Sequence, residues 1–284
     1  YNIAYIYLNT GNYDQAVEEF QTVIERFPGT EWAARAQYNI GDSYYNAGEY
    51  DRAIEEYTRV LEGYPGSSYI LEAINGIQFA QLSAGEDDSS TDVLENFLDE
   101  NPTSETADRL RFRQAENTLQ SGDYEAAVAD FRQYLRITNS QSMMPEAYFN
   151  LADAYQRMNQ PGNAAEAYRT IINEFPESDR AAPAYAELGQ ILLEREEYSE
   201  ARTIFEELAE VDQRFRQEAF LGIGRAALGL GDTGSARQYF ERVLSINESN
   251  DAARAGLGKV LLADDRVEEA RRLFSMVANE NSTA

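Results

Sequence analysis

The sequence predicts an all-α solenoid, a stack of eight helix pairs, because an internal repeat runs through its 284 residues. A small residue, nearly always alanine, recurs at steps of 37 residues or a multiple, and then at steps of 35 and 34. A large apolar residue follows it by four positions, and a second small residue precedes it by twelve. Three columns in register predict supersecondary elements that stack on one another and bury one face against their neighbours.

The members of the three columns define the repeat. The central column is Ala16, Ala53, Ser90, Ala127, Ala164, Ala201, Ala236 and Ala270. The large apolar column is Phe20, Tyr57, Leu94, Phe131, Tyr168, Phe205, Phe240 and Phe274. The column before them is Ala4, Gly41, Gln78, Ala115, Ala152, Gly189, Gly224 and Gly258. We expect these columns to be the contact between the two helices of each pair.

The second repeat illustrates how each pair is built. Ile40, Gly41 and Tyr44 fall at helical spacing and define one face of a first helix. Gly48 then supplies the positive φ that ends a helix. A second amphipathic helix follows, and it ends before Pro65 because proline cannot continue a helix.

The same reading divides the whole chain into repeats. Their expected bounds are 1–33, 34–70, 71–107, 108–144, 145–181, 182–216, 217–250 and 251–284. The break within each pair is expected near Gly11, Gly48, Gly85, Gly122, Asn159, Glu196, Gly231 and Asp265. In the third repeat Gln78, Gln81 and Ser90 replace the small, aromatic and alanine residues of the others, so we expect this repeat to be the least tightly packed.

The turn into the second helix has a recurring phrase. It reads Gly48-Glu-Tyr-Asp-Arg-Ala53 and Gly122-Asp-Tyr-Glu-Ala-Ala127, and a helix-ending proline recurs at residues 28, 65, 102 and 176. This pattern resembles the tetratricopeptide repeat (TPR) over the entire chain, and we therefore expect a right-handed superhelix, the TPR solenoid. The 37-residue form, with Phe-Pro-Gly-Thr at 27–30, is similar to bacterial envelope proteins of the BamD and YbgF/CpoB type. That similarity implies the bacterial cell envelope or periplasm as the location, with the cytoplasm as the alternative.

The composition of the chain argues against nucleic-acid binding and against membrane insertion. Fifty acidic and 24 basic residues give a net charge of −26, and Lys259 is the only lysine. Such a surface is a poor partner for nucleic acid, which needs a basic stripe. The acidic excess fits either a solvated surface that keeps a repeat array soluble or an adaptation to high salt. No apolar run approaches the roughly 20 residues of a membrane-spanning helix, so we expect no direct membrane insertion.

No catalytic or cofactor site is predicted. The chain has no cysteine and no histidine, which removes thiolate nucleophiles, histidine bases and the usual zinc sites. The glycines between Gly222 and Gly229 lie within a predicted helix at packing positions, not after a strand as a phosphate loop requires. Asp87-Asp88 and Asp264-Asp265 lack the spacing of a calcium loop. The chain opens inside a repeat, and we expect it to be a part of a longer polypeptide.

One row of side chains along the first helices indicates a binding surface. Aromatic, arginine and asparagine side chains are expected on the first helices, opposite the packing column, where a solenoid has its concave wall. The candidate groove residues are Tyr38, Tyr45, Phe79, Phe112, Phe149, Arg35, Arg109, Arg113, Asn39 and Asn150, with Tyr1 and Tyr5 on the same wall. The alternative is that the aromatic rings only fill the seam between adjacent first helices.

These observations favour a non-catalytic scaffold that binds a protein or peptide segment along the concave groove. The alternative function is a self-assembling structural protein that forms dimers or filaments through exposed repeat ends. Partner contact is expected in the first five repeats, because the wall of the last two is smoother, with Leu221, Arg225, Leu228, Ala255 and Lys259.

Overall fold

The computed structural model describes residues 1–85 and 90–280, with the side chains of 1–85 and 93–277. Over these residues the chain forms sixteen α-helices and one short 3₁₀ helix, without a β-strand. It divides into two compact units, residues 1–117 with 136–140 and residues 118–135 with 141–284. The all-α prediction is confirmed.

The first unit is a run of helices in which, from α1 to α6, each packs against the next, and α3 also contacts α5. Its helices are α1 (Asn2–Asn9), α2 (Tyr13–Arg26), α3 (Glu31–Ala47), α4 (Tyr50–Gly63), α5 (Ile70–Ala84), α6 (Ser90–Glu100) and most of α7 (Glu105–Ser121). The odd-numbered members are the first helices of the predicted pairs.

The second unit repeats this arrangement. Its helices are α8 (Tyr124–Ile137), α9 (Met144–Arg157), α10 (Pro161–Glu174), α11 (Ala181–Glu194), α12 (Tyr198–Val211), α13 (Arg216–Gly229), α14 (Thr233–Ile246), α15 (Asp251–Ala263) and α16 (Val267–Glu280), with the 3₁₀ helix at Gln213–Phe215. From α9 onward each helix packs against the next, and α13 also contacts both α11 and α15. First helices therefore stack on first helices, as a solenoid requires.

The turn inside each pair lies where the sequence predicts it. All eight predicted residues have positive φ, from 58° at Asn159 to 88° at Gly122. Five of the eight are glycines, for which this conformation carries no steric penalty. Asn159, Glu196 and Asp265 adopt it with side chains, so the turn geometry is imposed by the packing of the pair.

The alanine column is confirmed as part of the core, whereas Gln78, Leu94 and Phe274 of the other columns are only partly buried, and the Ser90 side chain lies outside the described residues. Ala16, Ala53, Ala127, Ala164, Ala201, Ala236 and Ala270 are all fully buried. The Phe205 ring lies against Gly189 of its own pair and Gly222 of the next first helix, so that a Cβ on either glycine would overlap it. Phe240 has the same relation to Gly224 and Gly256, and Tyr57 to Gly41 and Gly76. The glycines of α13 therefore allow aromatic rings to pack closely against the helix. This confirms the prediction that Gly222 and Gly224 are packing positions within a helix.

The helices of the third repeat do not pack completely against the preceding helix. A cavity of about 270 Å³ lies between α4, α5 and α6, lined by Ile54, Leu61, Ile77, Val93 and Phe97 among others. The side-chain oxygen Oε1 of Gln81, on its wall, is buried without a hydrogen-bond partner among the described residues. This is the repeat that the sequence predicts to be the least tightly packed. Asp87 and Asp88 lie outside the described residues, whereas Asp264 pairs with Arg237 at 2.5 Å.

Candidate functional site

A pocket in the first unit gathers three of the predicted groove residues. It has a volume of about 510 Å³ and lies between α1 and α3, closed at one side by the turn at Gly11 and by Tyr69 before α5. Arg35, Tyr38 and Asn39 line it. The remaining lining residues are Tyr1, Tyr5, Leu8, Asn9, Gly11, Tyr13, Asp42, Asn46 and Tyr69.

One end of this tyrosine pocket carries a positive charge. The Arg35 guanidinium carbon lies 4.6 Å from the centre of the Tyr1 ring, a cation–π arrangement. The Asn39 side-chain amide donates to the Tyr1 hydroxyl at 2.9 Å and to the Arg35 carbonyl at 2.6 Å. The Asn39 side chain is buried, and it holds Tyr1 in place instead of projecting into solvent.

Arg35 forms no ion pair with a carboxylate of the described residues. The carboxylate one helical turn before it, Glu31, is already occupied, since it accepts from the Ser68 backbone N–H at 3.0 Å and from the Ser68 hydroxyl. Partial burial acts to raise the pKa of Glu31, but hydrogen bonds from Ser68 and Ser67 outweigh it and lower the pKa. The Arg35 charge is therefore available to the pocket.

The other end carries a negative charge on Asp42. The Tyr57 hydroxyl donates to Asp42 Oδ1 at 2.6 Å, and the Tyr38 hydroxyl lies near enough to this carboxylate to act on its pKa. Burial raises the pKa of Asp42, and the two tyrosine hydroxyls offset that shift only in part. Burial and the Asp42 charge together raise the pKa values of Tyr38 and Tyr57, so both hydroxyls stay protonated as donors.

The other predicted aromatic residues have different environments. Phe79 is 61% exposed, whereas Phe112 is 6% exposed and contributes almost no surface. Tyr45 packs against Tyr50, and its hydroxyl lies 3.2 Å from the Ser83 hydroxyl. In the second unit Phe149 packs edge-on against Tyr168, with the Arg180 guanidinium 4.8 Å from its ring centre. Phe112 therefore offers almost no open surface, and the half-buried Phe149 packs on the second helix of its own pair.

The predicted polar residues outside the pocket are accessible. Arg109 and Arg113 are exposed on α7, and Asn150 on α9 is half-buried. Their role in a groove stays a prediction.

Sequence reasoning missed Asp42 and Tyr69. Asp42 could have been found from the repeat register, because it lies 37 residues after Tyr5 and 37 before Phe79, both assigned to the wall. Tyr69 precedes its helix, outside the helical spacing used to choose candidates, and only the packing of α5 on α3 brings it to the pocket.

A second cavity lies on the first helices of the second unit. It measures about 380 Å³ and is lined by Leu221, Arg225, Leu228, Ala255 and Lys259 together with Tyr198 and Phe240. The Arg225 guanidinium donates to the Gln190 side-chain oxygen at 2.8 Å. The wall that the sequence predicts to be smoother therefore has a cleft of its own.

Comparison with known families decides the identity of the repeat. Family models described as tetratricopeptide repeat match residues 1–68, 146–178, 182–215 and 227–283, together more than half of the chain. The chain belongs to the tetratricopeptide repeat family. The predicted TPR solenoid is therefore the correct fold class.

Similar proteins support this membership. The type IV pilus assembly protein PilF of Pseudomonas aeruginosa is 26% identical over 164 residues, which are 56% of this chain and 62% of PilF. Among solved structures, MamA 41-end from Desulfovibrio magneticus RS-1 matches with a TM-score of 0.54 at 16% identity, over 62% of this TPR chain and 96% of that one. The C-terminal part of a TPR repeat-containing protein from Cytophaga hutchinsonii matches with a TM-score of 0.54 at 15% identity, over 90% and 98% of the two chains.

The structural likenesses establish the fold alone, and the narrower similarity to BamD and YbgF/CpoB stays a prediction. Within the described part of this TPR chain, no helix is long and apolar enough to cross a bilayer. The same residues contain no cluster of three or more acidic side chains placed to hold a metal ion.

Proposed function

We propose that this TPR chain is a non-catalytic protein-interaction scaffold that binds a peptide or protein segment along a groove on its first helices, anchored at the tyrosine pocket. The observation that carries the proposal is the composition of that pocket. Tyrosine rings supply contact area at low entropic cost, and the side chains of Asn9 and Asn46 supply donors and acceptors for a peptide backbone.

The electrostatics of the chain support a protein partner. A net charge of −26 repels the phosphate backbone of nucleic acid, whereas a protein segment can match the local charges Arg35 and Asp42. The named role of PilF in pilus assembly supports a bacterial cell envelope location as part of this proposal.

Selection from a random dodecapeptide library against the chain tests the proposal. We expect peptides that bind wild type and that lose about tenfold or more in affinity with Tyr5→Ala, because tyrosine is enriched among the few interface residues that contribute most of the binding free energy. Tyr5 is 45% exposed, so its truncation costs little folding stability. Phe27→Ala is the matched control, since Phe27 is 52% exposed and lies outside the pocket.

Equal losses in the two variants, or a failure to select any peptide, would contradict the pocket as an anchor. Phe79→Ala then measures whether binding extends along the wall, since Phe79 is 61% exposed on the next first helix.

Self-assembly is the second candidate, favoured by the exposed apolar side of α1. Ile3 is 58% and Ile6 61% exposed, three residues apart on one helical face. Exposed apolar patches of this kind mark interaction surfaces. Sedimentation at several protein concentrations tests this candidate: a constant monomer mass excludes it, and a mass that rises with concentration and returns to monomer in Ile6→Asp supports it.

A further inference from the structure

The carboxylate of Asp42 is held in a fixed position at the pocket wall. Its partner Tyr57 is clamped, because a Cβ on Gly41 or Gly76 would overlap the Tyr57 ring. Because the Tyr57 ring is fixed in the core of the unit, its hydroxyl holds Oδ1 of Asp42 in one place. Since a carboxylate offers about four lone-pair sites, the Tyr57 donor and the nearby Tyr38 hydroxyl leave acceptor capacity for a further donor from the pocket side.

The rings around the pocket are suited to a cation. A guanidinium already lies over one of them, that of Arg35 over Tyr1. The rings of Tyr5, Tyr13 and Tyr38 also line the pocket. Tyrosine faces attract ammonium and guanidinium groups, more strongly where water is partly excluded.

The local charge favours an incoming cation in spite of Arg35. Arg35 lies seven residues before Asp42 on α3, about 10 Å along the helix axis. The Arg35 guanidinium lies over the Tyr1 ring, about two helical turns from Asp42, so a cation that pairs directly with Asp42 gains more from that contact than it loses to repulsion from Arg35. A further carboxylate, Glu72 on α5, lies near enough for its charge to act on Tyr38.

Resting on the proposed function, we propose that the tyrosine pocket takes a basic side chain of the bound segment, a lysine ammonium or an arginine guanidinium, which pairs with Asp42 among the tyrosine rings. The partner is therefore a segment with a basic residue at a fixed position. The excess negative charge of the chain steers such a segment toward it.

The peptides selected on the wild-type chain provide the test. We expect lysine or arginine at one fixed position in them, and a loss of affinity of about tenfold or more with Asp42→Asn, the range of a hydrogen bond to a charged group. Asparagine retains an acceptor oxygen for Tyr57, and circular dichroism checks the fold. Asp51→Asn is the matched control, because it removes one exposed carboxylate outside the pocket, in the first turn of α4.

A change in the peptide tests the same contact without altering the protein. Replacement of the fixed arginine by citrulline, or of lysine by norleucine, is expected to weaken binding to wild type about as much as Asp42→Asn does, and to have little further effect on that variant. Peptides that bind in a Tyr5-dependent way without a basic residue, or equal losses for Asp42→Asn and Asp51→Asn, would overturn the inference and leave the proposed function standing. If no peptide is selected, the proposed function fails, and the inference fails with it.

Discussion

Single residues connect the core of this chain to its surface. Tyr57 fills the space that Gly41 and Gly76 leave open, and its hydroxyl holds Asp42 at the pocket. Phe205 fills the equivalent space against Gly189 and Gly222 but has no hydroxyl to position a polar group. The change from phenylalanine to tyrosine at one column position therefore adds a polar site without changing the packing.

The glycine column should not tolerate a methyl group. In Gly189→Ala the new Cβ would lie 2.6 Å from the Phe205 ring, which cannot move away because Gly222 holds its other side. We expect a loss of roughly 1–3 kcal/mol from overpacking, more than the gain of about 1 kcal/mol in helix propensity. Urea unfolding measures it.

Gly162→Ala is the control for this substitution. Its Cβ would meet only Arg195, at 3.9 Å, so we expect unchanged or slightly higher stability. If both variants shift the midpoint equally, close packing is not the reason for the glycine.

Asp42 should make stability depend on pH in a defined direction. Burial raises its pKa in the folded state, so the native chain binds this proton more tightly than the unfolded chain does. The resulting cost is absent below the ordinary aspartate pKa of about 4, grows as the pH rises through the raised pKa, and is constant above it. We expect Asp42→Asn to be at least as stable as wild type at pH 7.

The difference in unfolding free energy between wild type and Asp42→Asn isolates the contribution of the Asp42 carboxyl group. Denaturant titrations from pH 3.5 to 7 should show the advantage of the variant disappearing toward the acidic end. An advantage that grows on acidification would mean that the tyrosine hydrogen bonds outweigh burial and that the pKa is lowered.

At the scale of elements, the helix pairs differ in how well they fill their interfaces. Most pairs have alanine or glycine against an aromatic ring, and these contacts are fully buried. The contact of α5 with its neighbours contains the cavity of about 270 Å³ and the unpaired oxygen of Gln81. An unpaired buried polar atom costs about 1–3 kcal/mol, so this contact is the place where stability can be gained.

Gln81→Leu should stabilise the chain. The leucine removes the buried polar atom and adds apolar surface to a cavity wall that includes Ile54, Ile77 and Phe97, and we expect a gain of about 1–2 kcal/mol. Thermal unfolding followed by circular dichroism measures it. Gln21→Leu on α2, where Gln21 is exposed, is the control and should leave the midpoint unchanged; a destabilised Gln81→Leu would show that the amide has a role in the fold.

At the scale of the whole molecule, the net charge of −26 acts on every repeat. The arginine–carboxylate pairs on the surface, such as Arg52 with Glu49 and Arg266 with Glu269, have both partners largely exposed. Exposed pairs contribute little, typically below about 1 kcal/mol. The unpaired carboxylates therefore dominate the electrostatics, and they repel one another in the folded state.

Salt should raise the stability of the chain. Because added ions screen repulsion, the melting temperature is expected to increase steadily from low to molar sodium chloride. The triple variant Glu18→Gln, Glu25→Gln and Glu55→Gln, which neutralises three exposed carboxylates, should respond less steeply. A melting temperature that stays flat or falls would contradict both the repulsion and the adaptation to high salt.

The sequence by itself determined the repeat, the buried columns and the turn positions. These properties depend on local chemistry, since glycine, alanine and an aromatic ring at fixed spacing admit only one close contact between two helices. Gly48 could be placed in a turn from the phrase around it and Asn159 from the repeat register, and both have positive φ.

Only the tertiary structure decided which first-helix residues form the pocket. Asn39 and Phe112 carry the expected residue types but are buried, because the neighbouring helices cover them. Asp42 and Tyr69 were recognised as pocket residues only from the packing of α1, α3 and the segment before α5. The physical reason is that helical spacing specifies the face on which a side chain lies, whereas its access to solvent depends on how the next repeat packs against that face.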